Sequence, residues 1–237
     1  TTPLNPQSAY PRGYNVMFGD EDNPQWQIDK EHNLFIGRYL WHVGKVGIDS
    51  PGGWIAFSQG SEGYAFAELF DFEDGEEYPD DGASVECWTV GAGKAANLDY
   101  EQTTIYLMET ELLSPIRTIA PGESTTFTIT WGACRCPGPI IDVNHVGCTA
   151  ATLKAAVSDG FVRLTGQFGV FDRGKLELVW KSGRAETVDR LHLGAVDPLT
   201  AILLDRVLAV PPGAKTVELR ISPAVNHKDG LLATAVL

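Results

Sequence analysis

The sequence predicts an all-β protein, an antiparallel β-sandwich followed by a smaller second sandwich. Three observations carry this. Short alternating or apolar runs such as "GYAFAELFDF", "SVECWTV", "TIYLMETEL", "FVRLTGQF" and "KTVELRI" recur along the chain, and a period of two is the signature of a half-buried strand. Turn-forming Gly, Pro, Asp and Asn separate these runs, with 25 Gly and 14 Pro in all. Helical periodicity is scarce: only "ATLKAAVSDG" and "PLTAILLDRVL" read as helical, and the second is β-branched and led by proline.

Taken in order, the opening "TTPLNPQSAYPRGYNVMFGDEDNPQW" has three prolines in its first eleven residues and little period. Such a segment is extended and suited to lie along a sheet edge, within the chain or on a neighbouring subunit. "RYLWHVGK" reads as a strand, with Tyr39, Trp41 and Val43 on one face and Arg38, Leu40 and His42 on the other. "GWIAFSQ", "GYAFAELFDF", "SVECWTV", "TIYLMETEL" and "STTFTITWG" follow as strands. The Pro/Gly-rich "CRCPGPIIDVNHVGCT" marks a boundary, giving a first domain over 1–133, a Cys-rich linker over 134–150 and a second domain over 151–237. In that second domain a Pro-Gly turn precedes "KTVELRI", whose Val217, Leu219 and Ile221 point inward while Glu218 and Arg220 point out.

Charge supports the same boundary. Residues 1–133 hold 6 Lys+Arg against 21 Asp+Glu, and residues 134–237 hold 12 against 10. The net charge of -13 repels phosphate backbones, which argues against nucleic-acid binding. No apolar run reaches the length of a membrane span. The chain opens at Thr1, without an initiator Met or a signal-like stretch, and reads as a mature secreted or cell-surface chain, or as a fragment of a longer one.

"KVGIDSPGGWIAF", "EYPDDGASVECWT" and "YLMETELLSPIRTIAPGESTTFTITW" occur in that order between residues 45 and 131. Together they resemble the galactose-mutarotase-like supersandwich family, most closely an uncharacterised secreted group, and "ETELLSPIRTIAPGES" is the most specific piece. The resemblance implies a broad antiparallel sandwich whose concave face handles sugars, as in aldose epimerases, carbohydrate-binding proteins and polysaccharide lyases. A full supersandwich is much longer than residues 1–133, so the resemblance implies either a reduced fold or an upstream piece on another chain. The tail over 151–237 resembles an immunoglobulin-like module.

The candidate site residues follow from this pattern. Glu109 and Glu111 lie two apart on a strand, so their carboxylates share one face about 7 Å apart. The opposite face, with Tyr106, Met108 and Leu112, is apolar apart from Thr110. Paired carboxylates can bind sugar hydroxyls, and one of two close acids can hold a proton for acid/base chemistry. An amphipathic strand with its acids in water has the same sequence. His42 and Arg38 are candidate assistants, and Trp41, Trp54 and Trp88 are candidate surfaces on which a pyranose ring could stack. Cys87, Cys134, Cys136 and Cys148 suggest two disulfides in an exported chain; Cys134, Cys136, His145 and Cys148 form an alternative zinc set. "ELFDFEDGEEYPDDG" carries eight acids between Glu68 and Asp81, with Asp71, Glu73 and Asp74 as ligands should Ca²⁺ bind, although it lacks the EF-hand loop pattern. Nucleophile-elbow, P-loop, dinucleotide and zincin motifs are absent, and no resident cofactor is implied.

The expected function is therefore carbohydrate-directed, with binding placed before catalysis; as an enzyme it would epimerise or β-eliminate a sugar through Glu109 or Glu111. The competing expectation is an extracellular structural or filament subunit that self-associates through its extended N-terminus.

Overall fold

The computed structural model describes residues 1–60, 62–95, 98–222 and 230–237. The protein is all-β, with 54% strand and 2% helix in several antiparallel sheets. Two compact units divide the chain, an N-terminal one of residues 1–55 and 68–130 and a C-terminal one of residues 56–67 and 131–237. Among the described residues no helix is long and apolar enough to cross a membrane.

Among the described residues the first twelve strands are β1 (Thr2–Pro3), β2 (Tyr14–Gly19), β3 (Trp26–Asp29), β4 (Leu34–Gly37), β5 (Gly44–Ile48), β6 (Trp54–Gln59), β7 (Tyr64–Phe70), β8 (Val85–Val90), β9 (Lys94–Ala95), β10 (Leu98–Asp99), β11 (Leu107–Leu112) and β12 (Ile129–Arg135). In the N-terminal unit, a sheet ordered β1-β4-β3 and another ordered β11-β8-β5-β2 enclose a core of Leu4, Tyr14, Trp26, Phe35, Val46, Ile48 and Cys87. Tyr14 meets Phe35 edge-on at 5.2 Å, a favoured arrangement for a buried aromatic pair. The opening segment, which sequence periodicity left unassigned, is pinned within its own chain. Thr2 pairs with Phe35 and Pro3 with Leu34. The fully buried Thr2 hydroxyl lies 2.7 Å from Ser50 Oγ and donates to the Trp54 carbonyl at 2.5 Å.

The strand expected at "RYLWHVGK" is corrected: residues 38–43 form a loop, apart from an isolated bridge between His42 and Ala92. Trp41 takes a left-handed backbone (φ 61°), which breaks the two-residue alternation. The loop is fixed by Gln25, whose side-chain carbonyl accepts from the amides of Leu40 and His42.

Eight more strands build the C-terminal unit: β13 (Asp142–Asn144), β14 (Gly147–Ser158), β15 (Phe161–Val170), β16 (Gly174–Lys181), β17 (Thr187–Val196), β18 (Ile202–Ala209), β19 (Thr216–Ser222) and β20 (Leu231–Val236). They form sheets ordered β13-β14-β15-β18 and β17-β16-β19-β20. Phe168, Leu164, Leu178, Trp180 and Leu219 lie in the core between them. As alternation requires, Val217, Leu219 and Ile221 are buried. Both segments that read as helical are strands. "ATLKAAVS" lies in β14 and pairs with β15, and "ILLDRVLA" is β18, also paired to β15. Ladder pairing and burial outweigh a local propensity worth only tenths of a kcal/mol per residue (about 0–0.7).

β6, β7 and β12 form a further sheet ordered β12-β7-β6. "STTFTITWG" is a strand only from Ile129 onward.

Candidate functional site

The twin glutamates lie on β11, an edge strand, as expected of a flat sheet. Register places Glu109 opposite Trp88, Glu111 opposite Glu86, Lys45 opposite Trp88 and Gly47 opposite Glu86. Since opposed residues point to the same side, one face carries Lys45, Glu86, Trp88, Glu109 and Glu111. The reverse face is packed: Met108 joins the first core, Leu112 lies against Ile55, Phe70 and Val85, and Thr110 donates to Glu68 at 3.0 Å.

On the acidic face the charges are tied to one another. Lys45 Nζ lies 2.5 Å from Glu86 Oε2 and 3.4 Å from Glu111 Oε2, and 5.8 Å from the centre of the Trp88 ring. Phe18 meets Trp88 edge-on at 5.5 Å. Glu86 is only 1% exposed, and its Oε1 has no hydrogen-bond partner. Opposite it, Gly47 has no side chain, and Ala83 and the Tyr10 hydroxyl close over the space that a side chain would fill. Tyr10 donates to the Asp80 carbonyl at 2.9 Å. Its own pKa is pushed up to about 12, first by burial and then by the charges of Asp81, Asp49, Asp80 and Glu86. Burial pushes the Glu86 carboxyl up to about 7; the hydrogen bond from Lys45 opposes this, and the carboxyls of Asp80 and Glu111 add to it. Burial alone would lower the Lys45 pKa, but its two carboxylate partners outweigh that and hold it above the ordinary value.

This arrangement keeps its most perturbed acid away from any substrate. Glu111 is engaged by Lys45, and only Glu109 stands exposed. Arg38 and His42 are exposed on the 38–43 loop, and His42 lines a hollow of about 370 Å³ with Asp20, Asn23 and Lys94, to which neither glutamate contributes. The structure therefore gathers Glu109, Glu111 and Trp88, and leaves Arg38 and His42 out. Of the other proposed stacking rings, Trp41 is 62% exposed and Trp54 only 3%. Trp54 is corrected to a core residue, because a ring enclosed on both faces cannot stack on a sugar.

The acidic loop is occupied by its own cation. Arg117 bonds Glu73 and lies 2.6 Å from Glu76, so Glu73 is engaged by a side-chain cation. Among the described residues no three His, Cys, Asp or Glu side chains are arranged to hold a metal ion, which also corrects the zinc alternative at Cys134, Cys136, His145 and Cys148. All four cysteines are buried free thiols, so the two expected disulfides are not formed. Cys87 is enclosed in the core of the N-terminal unit, and burial pushes its thiol up to about 12.

A second face, not anticipated from the sequence, lies in the C-terminal unit. On β7, Tyr64 is 48% exposed while Ala65 and Ala67 are buried; on β12, Trp131 is 68% exposed while Cys134 is buried. The usual pattern is inverted, with small residues inward and aromatic rings outward. On the inner side Gly132 has the Phe171 ring 2.5 Å from the point a Cβ would occupy, so no side chain fits there. Outward, Phe66 lies 5.8 Å from Trp131. The Arg135 guanidinium stacks on Tyr64 at 3.7 Å, donates to the Tyr64 hydroxyl at 2.8 Å and also bonds the Glu62 carbonyl. Phe57, Tyr64, Phe66, Arg135 and Leu199 line a hollow of about 390 Å³. The signal was present in the sequence: "GYAFA" and "TWGACR" alternate large with small, but alternation alone does not say which set faces water.

No protein-family model matches the chain, and neither a curated protein nor a solved structure shows significant similarity to it.

Proposed function

We propose that the protein binds a neutral saccharide on the aromatic face formed by Phe57, Tyr64, Phe66 and Trp131. The observation that carries this is the exposure of flat rings on one sheet face beside an ordered guanidinium. Exposed apolar patches of this kind mark binding surfaces. Aromatic faces match the C–H faces of pyranose rings. Arg135, already oriented by Tyr64 and Glu62, has further N–H groups for sugar hydroxyls.

The galactose-mutarotase-like resemblance of residues 45–131 supports the same substrate class, and with it a secreted or cell-surface location. The C-terminal sandwich then serves as an immunoglobulin-like module that presents the face. Binding is favoured over epimerisation or β-elimination because Lys45 holds Glu111 while His42 and Arg38 lie on a separate loop. Assembly through the N-terminus is not advanced, because β1 already pairs with β4 of its own chain.

A thermal-shift and array screen against neutral gluco-, galacto- and manno-oligosaccharides tests the proposal. The expected result is stabilisation by at least one series, retained in Glu109→Gln/Glu111→Gln. Loss of that shift in the double variant would move the site to the acidic face. No response to any saccharide, together with concentration-dependent dimerisation, would assign the rings to self-association.

A further inference from the structure

Beneath the aromatic face three thiols converge. Cys134 near the end of β12 and Cys136 just beyond it are both buried, as is Cys148 on β14. The residue that lets them meet is Gly169. It lies directly opposite Cys148 in the β14–β15 ladder, and the point where its Cβ would stand is 2.5 Å from Cys134 Sγ and 2.8 Å from Cys136 Cβ. Directly opposed Cβ positions in an antiparallel ladder are about 4.5–5.5 Å apart. The Cys134 sulfur therefore fills the missing side chain's space, across the ladder from the Cys148 side chain.

Hydrogen bonding distinguishes the three. The Cys134 sulfur accepts from the Cys148 thiol and from the Cys148 backbone amide, and these bonds hold its pKa below the ordinary thiol value despite burial. Cys136 instead turns to the Cys148 carbonyl, 3.7 Å away, and burial raises its pKa to about 12. Cys134 and Cys136 are separated by Arg135 alone, a spacing that suits a disulfide poorly, and the Cys136 amide is tied to the Gly63 carbonyl at 2.7 Å. Cys134 also borders the aromatic hollow, which gives a small oxidant its approach.

We propose that Cys134 and Cys148 are a reversible redox pair, closing to a disulfide that staples β12 to β14 under the face carrying Trp131 and Arg135, with Cys136 and Cys87 remaining thiols. The co-reactant is a small-molecule disulfide of the glutathione type. The Cys134 thiolate attacks one of its sulfurs and expels a thiolate, giving a mixed disulfide. Cys148, giving up its proton, then attacks the Cys134 sulfur and releases the second small thiol. Two protein thiols are oxidised, one S–S bond forms in the protein, and one small disulfide is reduced to two thiols. This pairing stands whatever the ligand of the aromatic face.

The test uses the full chain, purified reduced and then equilibrated in glutathione buffers of stepped redox poise. Free thiols are alkylated under denaturing conditions and the digest is mapped by mass. The expected result is one Cys134–Cys148 linked peptide with Cys136 and Cys87 alkylated, loss of two hydrogens from the intact mass, and a raised thermal midpoint for the oxidised form. Cys136→Ser retains the link and Cys134→Ser abolishes it. A Cys136–Cys148 or Cys134–Cys136 peptide, or four alkylated cysteines at the most oxidising poise, overturns the proposal. A link formed without any rise in thermal midpoint overturns the staple.

Discussion

Replacing Glu86 with glutamine probes how the acidic sheet face is held. The carboxyl is 1% exposed and titrates in the folded chain at about 7, against an ordinary value of 4.5. The folded state therefore binds this proton more tightly than the unfolded chain does. Stability contributed by the protonated form is complete below pH 4.5, is lost as pH rises from 4.5 to 7, and stays lost above that window. At about 1.4 kcal/mol per pKa unit, the change across the window is about 3 kcal/mol, an upper figure because Lys45 shares in the titration. Glutamine keeps the shape, can accept from Lys45 through its oxygen, and presents an N–H group toward Asp80, so it mimics the protonated acid at every pH. Denaturant unfolding of Glu86→Gln and wild type at pH 4.5, 6 and 8 should show near-equal stability at the lowest pH and an advantage to glutamine at the highest, by up to about 3 kcal/mol. A difference that does not vary with pH, or one that grows in favour of wild type as pH rises, would refute the assignment of a buried, protonatable Glu86.

Three further outcomes follow from the packing. Thr2→Val leaves Ser50 Oγ and the Trp54 carbonyl without their buried partner and should lower stability by about 1–3 kcal/mol, read from the denaturation midpoint. Leu178→Ala empties a fully buried position in the C-terminal core and should cost about 2–5 kcal/mol, seen in the transition of that unit. Gly169→Ala would put a methyl group 2.5 Å from both Cys134 Sγ and the Arg135 carbonyl; it should destabilise the C-terminal unit and suppress Cys134–Cys148 linkage in the mapping experiment.

The strands that could be read from the sequence were those where residue type and burial agree. "KTVELRI" alternates cleanly, and its Val217, Leu219 and Ile221 are buried; in "TIYLMETEL" the strand starts only at Leu107, where Met108 and Leu112 pack partly against the core while Tyr106 stays exposed. "ATLKAAVS" could not be read, because Ala, Leu and Lys favour helix locally while what makes it a strand is its hairpin pairing with β15 across the Asp159–Gly160 turn. Around Trp41 a single left-handed residue breaks the alternation, and nothing in "RYLWHVGK" announces that. The twin glutamates were legible as a pair on one face. Their restraint by Lys45 was not, because Glu86 and Lys45 come from two other strands. The aromatic face was hidden for a different reason. In β7 and β12 the large rings face outward, against the hydrophobic expectation, and only the tight packing over Gly132 and Ala67 shows why.

If sugars stack, as proposed, on the Trp131 side of the β12-β7-β6 sheet, that ring carries much of the affinity. Calorimetric titration of wild type and Trp131→Ala with the best neutral oligosaccharide measures its share. Loss of a ring that is 68% exposed and available for stacking should weaken binding by about tenfold or more without changing the unfolding midpoint of the free protein. Equal affinity in the two proteins would contradict the claim.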